Sequence, residues 1–78
     1  MTYELWSKAS RTILGAFGTE AAALTAVREA IAAHGRLYAE ELAIIREDSR
    51  GRSQPVAEGT ALVQRALQAP ETPHRVSA

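Results

Sequence analysis

The sequence predicts an α+β fold in which a single four-stranded antiparallel sheet carries helices packed on one face, in the order ββαββα. Short runs of aromatic and branched residues occur in two pairs, and each pair is followed by a segment with helical periodicity. The connections are short, which favours one sheet with strand order 2-1-3-4. Residues 1–69 are predicted to form one domain.

The first two strands are predicted from Tyr3 to Trp6 and from Thr12 to Phe17, because both runs are rich in the residues that strands prefer. The polar stretch 7–11 joins them. It is longer than a two-residue hairpin loop and has no Asn-Gly or Asp-Gly pair, so the turn type and the register stay open.

A long helix is predicted over residues 21–33, where alanine dominates. Thr19 is placed to accept hydrogen bonds from free amide groups at the helix start, and Glu20 puts negative charge at the positive end of the helix dipole. Gly35 is placed to end the helix as a left-handed C-cap residue.

The buried stripe of that helix is predicted to contain Leu24, Val27 and Ile31, which recur at spacings of three and four. Ala23, Ala30 and His34 fall on the same stripe. Arg28 and Glu29 fall off it and are expected to face water. Truncation of Ile31 to alanine is therefore expected to be costly, and truncation of Arg28 to cost little.

The second half of the chain repeats the strand-strand-helix order. Residues 36–41 are predicted to form a short helical turn, Leu42 to Glu47 a third strand, and residues 52–57 its hairpin partner across a tight turn. Pro55 cannot donate to a strand ladder, so the fourth strand is expected at the sheet edge or to be irregular.

Thr60 is a candidate cap for a final helix. The predicted apolar stripe of that helix consists of Leu62, Val63, Ala66 and Leu67. Residues 70–78 contain two prolines and no apolar periodicity, so a disordered, dispensable tail is expected there.

Composition excludes several classes of protein. The 78 residues are 46% apolar and 23% charged, nine basic residues balance nine acidic ones, and there is no cysteine. A disulfide scaffold and a zinc-thiolate site are therefore excluded. Net charge offers no general attraction for nucleic acid or membranes. Without a recognisable signal peptide or an apolar run of membrane-spanning length, a cytoplasmic location is expected.

The sequence offers little for catalysis. His34 lies at a helix end, where an ordinary capping role is common, and His74 lies in the predicted tail. Two histidines without cysteine do not make a closed metal site, and no glycine-rich loop with a lysine is present. No catalytic residue, metal or cofactor is expected, and the protein is predicted not to be an enzyme.

The leading functional hypothesis is a protein–protein interaction module. Strand alternation places apolar residues on both faces of the first and third strands, while helices on one face leave the other uncovered. An exposed apolar patch ordinarily marks an interface. The predicted contact residues are Trp6, Leu14 and Ile45. The expected partner is a second copy, giving a homodimer, or another protein.

An alternative is a small regulator that binds nucleic acid weakly through arginines concentrated around a hairpin turn. The candidate residues are Arg11, Arg46, Arg50 and Arg52. The competing interpretation is a solvated turn in which Glu47 and Asp48 neutralise the same arginines, and interleaved charges favour it.

Three segments resemble motifs of a group of short bacterial proteins with no known activity. They are a Tyr-x-Leu-Trp strand at Tyr3 to Trp6, a Leu-Gly-x-Phe-x-Thr-Glu joint at Leu14 to Glu20, and an Arg-Glu-Asp-x-x-Gly-Arg turn at Arg46 to Arg52. The resemblance spans about residues 3–65 and implies a bacterial cytosolic origin. The group has Asp or Asn with Gly in the first turn, whereas this chain has Ala9-Ser10, which implies a looser first hairpin.

Overall fold

A computed structural model describes residues 1–68 and has the predicted α+β architecture. One antiparallel sheet has the strand order β2-β1-β3-β4, as predicted, and the elements follow one another as ββα(α)ββα, with the short helix in parentheses. The elements are β1 (Thr2–Ser7), β2 (Thr12–Phe17), α1 (Glu20–His34), α2 (Arg36–Ala39), β3 (Leu42–Glu47), β4 (Ser53–Glu58) and α3 (Gly59–Gln68).

The strand predictions are confirmed to within about one residue at each end. Both central strands, β1 and β3, pair along their whole length, from Thr2 opposite Glu47 to Ser7 opposite Leu42. The fourth strand begins one residue later than predicted. It lies at the sheet edge, as predicted from Pro55. The outer side of an edge strand has no partner strand, so no backbone hydrogen bond is lost when an amide hydrogen is missing there.

Both ends of α1 are capped at the predicted residues. The side-chain oxygen of Thr19 accepts a hydrogen bond from the Ala22 amide at 3.1 Å. Gly35 ends the helix at the predicted position and donates its amide hydrogen to the Ile31 carbonyl at 2.8 Å, but its φ of 91° and ψ of 169° lie outside the left-handed helical region. This positive φ is unfavourable for any residue with a Cβ, which is why glycine stands between α1 and α2.

The core lies between the helices and one face of the sheet, here called the inner face. Leu42, Ile44, Leu62 and Val27 are the largest fully buried side chains. The remaining buried members of the cluster are Leu5, Ala23, Leu24, Ala39, Val63 and Ala66. Ile31 and Ala30 pack against this cluster but are only partly buried, because they lie toward the end of α1.

Four details of the helix predictions are wrong. Arg28 does not face water; it is half-buried and donates to the Ala66 carbonyl of α3 at 3.0 Å, because α3 packs beside that side of α1. His34 and Leu67 are exposed, since both lie near helix ends that extend past the sheet. Thr60 is not a cap, because α3 begins at Gly59.

Between residues 1 and 68, no helix has both the length and the apolar character needed to cross a membrane. The predicted tail, residues 70–78, lies outside the described residues.

Candidate protein-binding face

Over the second face of the sheet, here called the outer face, residues 1–68 place no helix. Strand register identifies its members: Trp6 lies opposite Ala43 on one side and Ile13 on the other, and Glu4 lies opposite Ile45. The buried positions of β1 and β3, Leu5 and Ile44 among them, alternate with these residues and point to the helices. The outer face is completed by Ala16 on β2 and by Pro55 and Glu58 on β4.

Apolar residues of the outer face lie on β2, β1 and β3, and those on the edge strand β2 are the most accessible. Ile13 and Leu14 each expose 47% of their surface, while Trp6 and Ile45 are half-buried. Ala43 is buried to 8% exposure between the larger side chains. These residues lie on three adjacent strands, so they form a continuous patch rather than scattered single positions.

The three predicted contact residues fall in this region. Trp6 and Ile45 lie diagonally across β1 and β3 on the outer face. Leu14 has no partner in the register, because Leu5 pairs with Gly15 and Trp6 pairs with Ile13. Leu14 is thus the extra residue of a β-bulge in β2, next to the patch.

Ile13 was not predicted, because strict alternation from Phe17 places it on the inner face. The bulge at Leu14 reverses that alternation and brings Ile13 opposite Trp6. One signal in the sequence was available: Gly15 lies inside a strand pattern, and an isolated glycine there often marks a bulge.

Charged groups lie at the two ends of the outer face and also within it, since Glu4 is on the central strand β1 opposite Ile45. The indole nitrogen of Trp6 donates to a carboxylate oxygen of Glu4 at 3.0 Å, which holds the ring along the sheet. Lys8 forms a 3.3 Å salt bridge with Glu58 at one end of the face, and Glu47 lies at the other end. The charged groups at the two ends give the face a polar rim, as protein interfaces usually have.

The edges of the sheet are less suited to binding than the face. β4 has a second bulge, at Val56, since Ile44 pairs with Ala57 and Ile45 pairs with Pro55. Bulges and an edge proline interrupt the row of backbone groups that another strand would need. The two edge strands of this sheet therefore disfavour strand addition.

The four candidate arginines are not brought together. Arg11 lies in the β1–β2 turn, at the end of the sheet where β3 begins, whereas Arg50 and Arg52 lie in the β3–β4 turn at the opposite end. A six-residue strand separates the two turns by about 20 Å. Arg46 is near the second turn, on the inner side of the sheet, opposite Tyr3 and Gln54.

The polar residues considered for chemistry do not converge. His34 is exposed and its ring lies 4.6 Å from that of Tyr38, at a tilt of 46°. Among residues 1–68, no three His, Asp or Glu side chains are grouped to hold a metal ion. His74 lies outside the described residues.

Comparison with protein-family models, with curated proteins and with solved structures found no match for this chain.

Proposed function

We propose that this protein is a non-enzymatic interaction module that associates with a second copy of itself, or with another protein, through the outer face of its sheet. The observation that carries the proposal is the continuous apolar patch around Trp6, Ile13 and Ile45, over which the described chain places no helix. Such a patch gains free energy when it is removed from water.

Self-association is the simpler form of the proposal, since most soluble oligomers are symmetric and use the same patch on both subunits. The strength of association can be bounded from the size of the face. Four strands of six residues cover an area of about 15 Å by 20 Å. This is less than half of the roughly 800 Å² per partner in a standard interface. We therefore expect a weak dimer that forms at micromolar or higher concentration.

Light scattering and sedimentation over a range of protein concentrations test the proposal. The wild type is expected to show a mass that rises above the monomer value, whereas Trp6→Glu and Ile13→Glu are expected to stay monomeric. A charge at either position would have to be buried in the interface, which is costly. Because Ile13 is outside the buried core, its substitution is expected to leave the circular dichroism spectrum unchanged.

Leu37→Glu is the matched control, because Leu37 is 81% exposed and lies on α2, outside the outer face. It should associate like the wild type. Tryptophan fluorescence distinguishes the remaining outcomes, as Trp6 is the only tryptophan. A monomeric wild type whose Trp6 is readily quenched by iodide would point to another protein as partner. A monomer with a shielded Trp6 would overturn the proposal.

Nucleic-acid binding is the less supported alternative. The separation of Arg11 from the other three arginines leaves no continuous basic track along the sheet. If the alternative held, binding to a single-stranded oligonucleotide would weaken steeply as salt is raised, because counterions released from the phosphates drive such binding. Association through the outer face is expected to depend little on salt.

A further inference from the structure

The β3–β4 hairpin forms a small polar recess on the side of the sheet away from Trp6. Its volume is about 190 Å³, and its walls include Arg46, Asp48, Arg52 and Gln54. Arg46 is half-buried and extends from β3, while Arg52 is exposed and follows the turn. Two arginines on different segments therefore border one recess, together with Met1 from the start of the chain.

The turn that carries Arg52 is held by a local hydrogen-bond network. One carboxylate oxygen of Asp48 accepts from the amides of Arg50 at 2.9 Å and Arg52 at 3.0 Å. The Asp48 amide donates to the Arg52 carbonyl at 2.9 Å, and Gly51, with φ 82°, donates to the Asp48 carbonyl at 3.0 Å. The backbone at Arg52 is thus fixed relative to β3, which lowers the ordering cost of binding a ligand there.

The arginines of this turn keep their charge available. Within residues 1–68, neither Arg46 nor Arg52 forms a salt bridge. Arg46 instead donates to the side-chain oxygen of Gln54 at 2.6 Å, which orients its guanidinium group and leaves other N–H groups free. Asp48 is engaged by backbone amides, and alternation along β3 places Glu47 on the outer face. Within residues 1–68, neither arginine is therefore paired in a salt bridge with Glu47 or Asp48, although the Asp48 carboxylate borders the same recess.

We propose that this recess binds one phosphate group, either inorganic phosphate or the terminal phosphate of a small phosphomonoester, between the guanidinium groups of Arg46 and Arg52. The planar N–H forks of arginine match the spacing of phosphate oxygens and form charge-assisted hydrogen bonds. The inference is independent of the proposed function, because the recess and the outer face share none of their residues.

A single phosphate is favoured over a polyanion for two reasons. The recess is small. Arg11 lies in the turn at the other end of the sheet, about 20 Å away, and so cannot contact the same phosphate group. The carboxylate of Asp48 borders the same recess and repels an anion, so the affinity is expected to be modest. A dissociation constant on the order of a millimolar is consistent with two charge-assisted contacts at a largely solvated site.

Titration of ¹⁵N-labelled protein, followed by NMR, tests the proposal. Inorganic phosphate and phenyl phosphate are added separately at constant ionic strength, with sodium chloride as the reference. Saturable shifts are expected at Arg46, Arg52 and Gln54 with both phosphates and not with chloride. Arg46→Gln and Arg52→Gln should each weaken binding about fivefold or more, as expected for loss of one charge-assisted contact. Arg11→Gln, with the same change in charge, should bind like the wild type.

Three results would overturn the proposal. Equal shifts with chloride would mean only a general effect of ionic strength. Equal binding by Arg46→Gln, Arg52→Gln and Arg11→Gln would place the anion elsewhere. Tighter binding of a single-stranded oligothymidylate without terminal phosphates, weakened by Arg11→Gln, would assign the arginines to nucleic acid instead. The NMR spectrum of each variant reports its folding directly, and exposed Arg52 provides a substitution outside the buried core.

Discussion

At the scale of single residues, Arg28 has a structural role that the apolar periodicity of α1 does not predict. Its guanidinium group donates to the Ala66 carbonyl and to the Thr25 hydroxyl, at 3.0 and 3.2 Å. Ala66 lies near the end of α3, and the residue four positions after it is Pro70, which has no amide hydrogen to donate to the Ala66 carbonyl. A cation there also interacts favourably with the negative end of the helix dipole. Arg28 therefore connects α1 to the end of α3.

Arg28→Ala is expected to lower the free energy of unfolding by about 1 to 2 kcal/mol, the range for a partly buried hydrogen bond from a charged donor. Urea denaturation followed by circular dichroism measures this change. Glu29→Ala is the control, since the side chain of Glu29, next to Arg28 in the sequence, is exposed. This substitution should change the free energy of unfolding by less than about 0.5 kcal/mol. Equal effects of the two substitutions would show that the contact with Ala66 does not contribute.

At the scale of secondary-structure elements, the joint between α1 and α2 depends on one backbone conformation. Gly35 has φ 91° and ψ 169°, so it ends α1 and immediately precedes α2. α2 in turn places Ala39 in the core with no exposure. The direction of the chain between the long helix and β3 is therefore set at this glycine.

Gly35→Ala is expected to destabilise the protein by about 1 to 3 kcal/mol, the cost of holding a residue with a Cβ in this sparsely populated region. The measurement is again the midpoint and slope of urea denaturation. Crowding by the rest of the structure does not contribute, since a Cβ at position 35 would meet no atom within 4 Å beyond its own residue and its two chain neighbours.

Gly18→Ala serves as the control for the Gly35 substitution. A Cβ at position 18 also meets nothing within 4 Å, and Gly18 does not have a positive φ. The control should therefore be neutral or slightly stabilising, because alanine reduces the entropy of the unfolded chain. If Gly35→Ala were equally tolerated, the joint would not require its observed conformation.

At the scale of the whole molecule, the inner and outer faces of the sheet are formed by the same strands. Leu5 and Trp6 are neighbours on β1 but belong to the inner and outer faces, and Ile44 and Ile45 on β3 are divided in the same way. Both strands are central, so neither face can lose its order while the other stays paired.

Unfolding of the monomer is therefore expected to be one cooperative transition. Fluorescence of Trp6 reports the outer face, and far-ultraviolet circular dichroism reports the helices and the sheet. Their urea midpoints should coincide, as they do for most small domains. An earlier fluorescence transition would show that the outer face loses its packing separately, and would contradict the coupling through β1 and β3.

Local sequence determined most of the elements of this protein. Thr19 and Gly35 mark the ends of α1 because their roles depend on the backbone within a few residues, and the strands followed from runs of apolar and branched residues. Even the strand order could be predicted, because short connections allow few arrangements of two hairpins and a long helix. Pro55 located the edge strand for an equally local reason, the lack of an amide hydrogen.

Only the tertiary structure decided which residues meet across elements. The bulge at Leu14 exchanged the faces of Ile13 and its neighbours, and the packing of α3 beside α1 gave Arg28 a carbonyl partner 38 residues away in the sequence. The opposite directions of the two hairpin turns separated Arg11 from Arg46 and Arg52. Register and helix packing depend on contacts distant in sequence, which local periodicity does not fix. For that reason the place of Ile13 on the outer face, the partner of Arg28 and the arginine recess emerged only from the fold.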